Sequence, residues 1–229
     1  MNIALCSAFR NSTDYLGRYF GQAHELDIAL HDRGDRLQFI WGEGDSTDNT
    51  RRWLKAATYR FWAKIVDCAH GGGDYGSVVA AERFKQLAHV GRCIWAAIPA
   101  AADVVVYIES DLIWEPSTIV TLIDHLQEYP AISPTIMLDR EEWAKTAFYD
   151  TFAFRKDGRR FTHFPPYHSC YVPDRPFQVD SAGSCMAFRG DVAREIVFDE
   201  QTIFIGICEQ IYANCGSVWV DPALSVIHR

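Results

Sequence analysis

The chain has 229 residues, 48% of them apolar and 14% aromatic, and a formal net charge of −8. That length and apolar share suit one large packed domain, and the acidic balance excludes a protein whose whole surface binds nucleic acid, leaving only a local basic patch for such a partner. No run of roughly 18 apolar residues marks a membrane span. The N-terminal MNIALCSAF lacks the basic-then-apolar order of a signal peptide, and seven scattered cysteines without a C-x-x-C pair read as reduced thiols of a cytoplasmic protein.

The first apolar run, Ile3 to Phe9, predicts a strand that ends in the polar loop RNST. Residues Tyr15, Leu16, Tyr19, Phe20, Ala23, Leu26 and Leu30 recur at helical spacing and predict a helix over Asp14 to Leu30. Leu37 to Trp41 is the second strand and runs into GEGDSTDNT. Thr50 to Tyr59 is the next helix, capped by Asp48 or Asn49. Ala63 to Ala69 forms a third strand, broken by Gly71, Gly72 and Gly73, and a long helical pattern covers Ala80 to Ala102 with an interruption at Pro99. Val104 to Ile108 is the fourth strand, followed by a helix over Ser117 to Tyr129 and a strand over Ala131 to Met137. From Glu141 to Arg175 periodicity is lost. Order resumes at Phe177 to Arg189, then a helix over Gly206 to Cys215 and a closing strand pair, Ser217 to Val220 and Leu224 to Ile227.

Strands alternating with helices predict an α/β protein with a mostly parallel central sheet covered on both faces. Ligands of such sheets bind beyond the carboxyl ends of the strands. Three polar clusters fall at those ends: Ser7 to Ser12, Glu43 to Thr50 and Glu109 to Asp111. Glu109 and Asp111 are one residue apart, so on an extended chain both point the same way. Two such carboxylates repel unless a cation sits beside them, and oxygen ligands favour Mg²⁺ or Mn²⁺. The alternative is solvated acids before the helix that opens at Pro116. A carboxylate of the 43–50 turn suits a base N–H or a ribose hydroxyl, although Gly, Asp, Ser and Asn also make an ordinary strand-to-helix turn.

These residues carry a resemblance. EGDSTDNT is similar to the E-D-G-S-T-D-N-T turn of GT-A glycosyltransferases, and the strand ending in ESD resembles their D-x-D motif. The stretches VDSAGSCMAFRGDV and CEQIYANCGSVWVDPALSVIH resemble the acceptor-side segment, the helix of the "ED" motif and the histidine of the last strand. The likeness is to family 2-like enzymes and to the fungal Anp1/Mnn9-type mannosyltransferases. It covers most of the chain except about 140–175.

The resemblance implies one GT-A (Rossmann-like) domain over 1–229, with a nucleotide-binding half to about 137, then a small mixed C-terminal acceptor half with a mobile segment at 140–175. It implies a glycosyltransferase that moves a sugar from a UDP- or GDP-sugar to an acceptor hydroxyl. Ser7, Ala8 and Phe9 would lie against the nucleoside, and Glu43 or Asp45 would touch base or ribose. Glu109 and Ser110 would lie near the donor, and Arg83 near the phosphates. Asp111 and His228 would hold the Mn²⁺ or Mg²⁺ that bridges the diphosphate, and Glu209 would be the general base. Glu109 stands where the first Asp is usual, Gly44 and Asp45 permute the common turn, and Gln210 replaces a usual Asp.

Competing functions are a nucleotidyltransferase, which wants a glycine-rich phosphate loop where this chain has no Gly before Gly17, and an inactive nucleotide-sugar-binding domain. The acceptor stays open between a glycan, a small molecule and a hydroxylated nucleobase in DNA. The basic, aromatic stretch Arg155 to Arg175 reads either as a loop over that acceptor or, preferably, as a lid over the diphosphate.

Overall fold

A computed structural model describes residues 1–76, 78–138 and 147–228. Its centre is an eight-stranded sheet in the order β3-β2-β1-β4-β9-β5-β10-β8. The strands are β1 (Asn2–Phe9), β2 (Arg36–Glu43), β3 (Ala63–Asp67), β4 (Val104–Ile108), β5 (Ala131–Leu138), β8 (Phe177–Val179), β9 (Cys185–Arg189) and β10 (Val218–His228). Strands β3, β2, β1 and β4 run parallel, as do β5 and β10, while β9 enters antiparallel between β4 and β5. At β8 the sheet ends with a second antiparallel strand. The fold class expected from the strand–helix alternation is the one observed.

The helices are α1 (Thr13–Asp32), α2 (Thr50–Ala57), α3 (Ala81–Trp95), α4 (Pro116–His125), α5 (Gly190–Arg194) and α6 (Phe204–Cys215). Helix α1 buries Leu16, Tyr19, Ala23, Leu26 and Leu30, the stripe its sequence spacing predicts. Alternation along β2 sorts the two faces. Phe39 and Trp41 pack against Phe20 of α1 and Phe61, whereas Gly42 faces Ile94 of α3. On β4, Tyr107 meets Trp95 of α3 and Phe204 of α6, so these helices share the second face. All five β4 residues are buried, as befits a central strand.

Two sequence expectations change here. The closing strand pair is a single strand, β10, whose register against β5 shifts between Asp221 and Ser225. Pro222 sits in that interval, and without an amide hydrogen it cannot continue the ladder. The patternless segment is also more structured than its sequence suggests. Residues 139–146 lie outside the described residues, but from 147 onward a small aromatic core forms. Phe148, Phe154 and Phe161 are buried, with Tyr167 and Tyr171 packed edge-on against Phe148 and Phe177 tilted against Phe161. Within it, β6 (Arg155–Lys156) and β7 (Arg159–Arg160) make a two-stranded hairpin.

Candidate active site

At the carboxyl ends of β1, β2 and β4 lies a cleft of about 300 Å³. Parallel strands expose their last carbonyls and the following loops at this end, and a change of winding direction between β1 and β4 opens the crevice. Ala8 and Phe9 of β1, Gly42 and Gly44 of the β2 end, and Glu109, Ser110 and Asp111 after β4 line it. Arg83 of α3 reaches it from the side, and Tyr149 and His228 close it from the C-terminal half.

Asp45 shapes the wall of this cleft rather than lining it. With φ at +60°, it turns its carboxylate to the loop after β3. There it accepts from the amides of His70 (2.8 Å) and Gly71 (3.1 Å) and lies 3.3 Å from His70 Nδ1. The His70 amide bond, above all, holds the Asp45 carboxyl below its ordinary range, while partial burial opposes it. Arg10 ties the same loop from the other side by donating to the carbonyls of Gly72 (2.9 Å) and Gly73 (3.0 Å). Gly44 permits the close approach, because a Cβ there would stand 2.5 Å from the Ala69 amide nitrogen. Ser110 Oγ donates to the Ala8 carbonyl at 2.6 Å and locks the β4 loop to the end of β1.

Asp111 and His228 come together from the loop after β4 and the end of β10, with Nε2 3.1 Å from Oδ2. The His228 ring lies flat on Tyr149, centroids 3.7 Å apart and planes 8° from parallel. That separation fits two neighbouring donors of one octahedral Mg²⁺- or Mn²⁺-sized ion, whose adjacent ligand atoms sit roughly 3 Å apart for bonds near 2.1 Å. Among the described residues no three metal-binding side chains cluster. Among the described residues Asp111 and His228 are thus a pair of candidate donors, a partial set of the kind that phosphate oxygens and water would complete.

A second cleft, of about 240 Å³, continues from the first past Arg83, Leu87, Glu109 and Tyr149. Its walls include Phe84, Phe152 and Phe204, and its polar floor is Asp150 and Ser184. Asp150 accepts from the Ala153 amide (2.9 Å) and from Ser184 Oγ (3.1 Å). Loss of hydration raises the Asp150 carboxyl despite these bonds. Glu109, between the clefts, is pushed up to about 8 by burial first and by the charges of Asp111 and Asp150 second. Ser184 and Ile203, both at this cleft, have φ of +60° and +46°. Such strain is held only where surrounding structure fixes it, and it concentrates at functional sites.

Of the residues singled out by sequence, Ala8, Phe9, Arg83, Glu109, Ser110, Asp111 and His228 meet at the first cleft. Four others do not: Asp45, which backs the wall by holding the loop after β3, and Ser7, Glu43 and Glu209. Ser7 is fully buried and accepts from Tyr19 Oη at 3.0 Å, because its parity on β1 turns it toward α1. Glu43 shares the face of Phe39 and Trp41. It is buried with Arg51 Nη1 3.4 Å from Oε2, under α2 rather than in the cleft. Glu209 is exposed on α6 and lines neither cleft, since the helix buries the face carrying Ile205, Ile207, Cys208 and Ile211. Its neighbour Gln210 clasps the Val197 backbone, accepting from N–H and donating to C=O at 2.8 Å each; an aspartate could not donate. Sequence reasoning missed Asp150 and Tyr149. The available signal was an acid inside an aromatic run, AFYDTFAF, where burial demands partners. A further cavity of about 330 Å³, lined by Trp95, Pro99 and Phe198, contains no carboxylate and reaches the opposite end of β4 at Val105.

No protein-family model and no curated protein matches this chain. Solved structures do match in fold. The S. aureus TarS fragment 1–349 in complex with UDP-GlcNAc superposes with a TM-score of 0.63 at 11% identity, over 100% of this chain and 59% of that one. The mannosyltransferase PcManGT from Pyrobaculum calidifontis, in complex with GDP-Man and Mn²⁺, superposes with a TM-score of 0.60 at 14% identity, over 99% and 56%. The fold is GT-A. The chain spans less than two thirds of these neighbours, and at such identities the likeness speaks of architecture alone. No described helix is long and apolar enough to cross a membrane.

Proposed function

We propose that this chain is a metal-dependent glycosyltransferase that moves a sugar from a UDP- or GDP-sugar to an acceptor hydroxyl. The observation that carries the reading is the convergence of Asp111 and His228 at the carboxyl-end cleft of a GT-A sheet. The bound nucleotide sugars of the two structural neighbours support the same donor class.

In this reading the nucleoside lies along Ala8, Phe9 and Gly44, against the loop that Asp45 and Arg10 fix. The diphosphate points toward Asp111, His228 and Arg83. Asp111 and His228 would hold a divalent cation there, which when bound would supply neutralisation of the charge that grows on the leaving diphosphate. The sugar bridges the clefts beside Glu109, and the acceptor enters from the second. The acceptor oxygen attacks the anomeric carbon, and the bond from that carbon to the diphosphate breaks with its electron pair staying on the phosphate oxygen. Asp150 takes the acceptor's proton. A carboxylate raised by burial is a stronger base than a solvated one, and such help is typically worth about 10²- to 10⁴-fold in rate. Asp150 thus replaces the exposed Glu209 as the base.

The test is a melting series with UDP, GDP and other nucleoside diphosphates, with and without Mn²⁺. A ligand at a hundredfold excess over its Kd stabilises by about 2.7 kcal/mol. UDP is expected to give the larger shift and GDP the next. If no nucleoside diphosphate moves the curve in the presence of Mn²⁺, the donor assignment fails.

A further inference from the structure

Resting on that reading of the donor cleft, we infer that the acceptor hydroxyl is presented on a nucleic-acid strand, whose phosphates the β6–β7 hairpin holds at the mouth of the second cleft. The hairpin packs Arg155, Lys156, Arg159 and Arg160 into six positions of a chain whose net charge is −8. Its turn, Asp157–Gly158, has φ of +52° and +70°, the two left-handed residues of a tight hairpin turn. The Gly158 amide donates to Asp180 at 2.7 Å, which pins the tip. Pairing sets Arg155 opposite Arg160, and their guanidinium carbons lie 5.4 Å and 5.1 Å from the ring centre of Phe152. Arg155 Nε also donates to the Phe152 carbonyl at 3.1 Å. Lys156 is matched by Asp157 at 3.6 Å, whereas Arg159 and Arg160 are exposed and have no carboxylate partner among the described residues.

Phe152 connects this charge to the chemistry. Its ring is a wall of the second cleft, beside Phe84 and above Asp150. Aromatic walls that accept the face of a base, with arginines alongside for the backbone, are how single strands are held without tracking a duplex groove. A neutral glycan offers these guanidiniums hydrogen-bond acceptors but no negative charge to neutralise. The donor diphosphate is not their partner either, because Phe152 lines only the second cleft, while Asp111 and His228 lie in the first, beyond Glu109 and Tyr149. A hydroxyl on a nucleotide inserted against Phe152 would face Asp150. The acidic remainder of the surface keeps the contact short and local.

The experiment is fluorescence anisotropy of a labelled single-stranded DNA oligonucleotide across a salt titration, on the wild type and on R159Q/R160Q. Both side chains are exposed, so the variant is expected to melt as the wild type does. Each phosphate contact contributes about 0.7 to the slope of log affinity against log salt for single strands. Losing two lowers the slope by about 1.4, while the melting shift given by nucleoside diphosphate is unchanged. Dextran is expected not to compete. No binding at low salt, or an identical slope in the variant, overturns the inference. A fall in nucleoside-diphosphate affinity in the variant assigns the hairpin to the donor instead and also overturns it. Inorganic polyphosphate binding as tightly as DNA, and equally insensitive to Phe152→Leu, would show a bare charge patch and likewise sink it. Failure of the wild-type nucleotide shift alone would remove the donor reading and leave the strand-binding result standing.

Discussion

Replacing Asp150 by Asn separates catalysis from architecture at the second cleft. The substitution keeps the shape of the side chain. Its Oδ1 still accepts from the Ala153 amide, now 2.9 Å away, and its Nδ2 can donate to Ser184 Oγ, now at 3.1 Å. What disappears is the ability to take a proton. If Asp150 is the base, transfer falls by about 10²- to 10⁴-fold, equivalent to roughly 3–5 kcal/mol in the barrier, with donor and metal binding intact. The stability effect has a definite sign. Burial, the leading cause, raises the Asp150 carboxyl above its unfolded range, so ionising it costs native stability. That cost is absent below the unfolded value and is incurred as pH rises through the folded one. The Asn variant therefore gains melting temperature relative to wild type at alkaline pH and not near pH 3. The assays are single-turnover transfer with a nucleotide sugar and melting curves across pH. An Asn variant that transfers at the wild-type rate refutes the assignment; one that melts lower at every pH shows that Asp150 serves only the fold.

Gly44→Ala forces a Cβ against the Ala69 amide nitrogen, and overpacking of this kind costs about 1–3 kcal/mol; nucleotide affinity is expected to fall with melting temperature, and unchanged affinity by titration would separate that wall from the donor site. Asp45→Asn weakens the charged bonds to His70 and Gly71, by about 1–3 kcal/mol together. Because the Asp45 carboxyl is depressed, its stabilisation is present above the unfolded value near 3.9 and is lost as pH falls through the folded one. The gap between the two melting curves should therefore close in acid, and a pH-independent gap would contradict the mechanism.

Much of the architecture is legible in the sequence because period and punctuation report it directly. The run VVVYI predicts a buried strand and is the five-residue centre of the sheet. The stripe Leu16, Tyr19, Ala23, Leu26, Leu30 predicts α1. Polar clusters at strand ends mark the crevice, and Asp111 and His228 do meet there although 117 positions separate them (228 − 111). The misses have a common cause in orientation. Alternation says that Ser7 and Glu43 lie on one face of their strands but not which face meets the cleft, and both turn toward α1 and α2. Glu209 fails in the same way on a helix, where burial of Ile205, Cys208 and Ile211 turns it outward. Asp150 was hidden because its segment has no period. Its order comes from long-range aromatic packing around Phe148, Phe154 and Phe161, which local patterns do not encode. The antiparallel insertion of β9 between β4 and β5 is likewise a tertiary choice, made by a short strand whose Cys185 to Phe188 are wholly buried.

The most direct test is nucleotide release from UDP- and GDP-sugars, followed by chromatography with water as the acceptor. A slow release that requires Mn²⁺, saturates with donor and disappears in Asp111→Asn while the variant keeps its melting temperature is the predicted result. Release that is independent of Mn²⁺, or undiminished in Asp111→Asn, would contradict the assignment of a cation-assisted sugar donor site to this cleft.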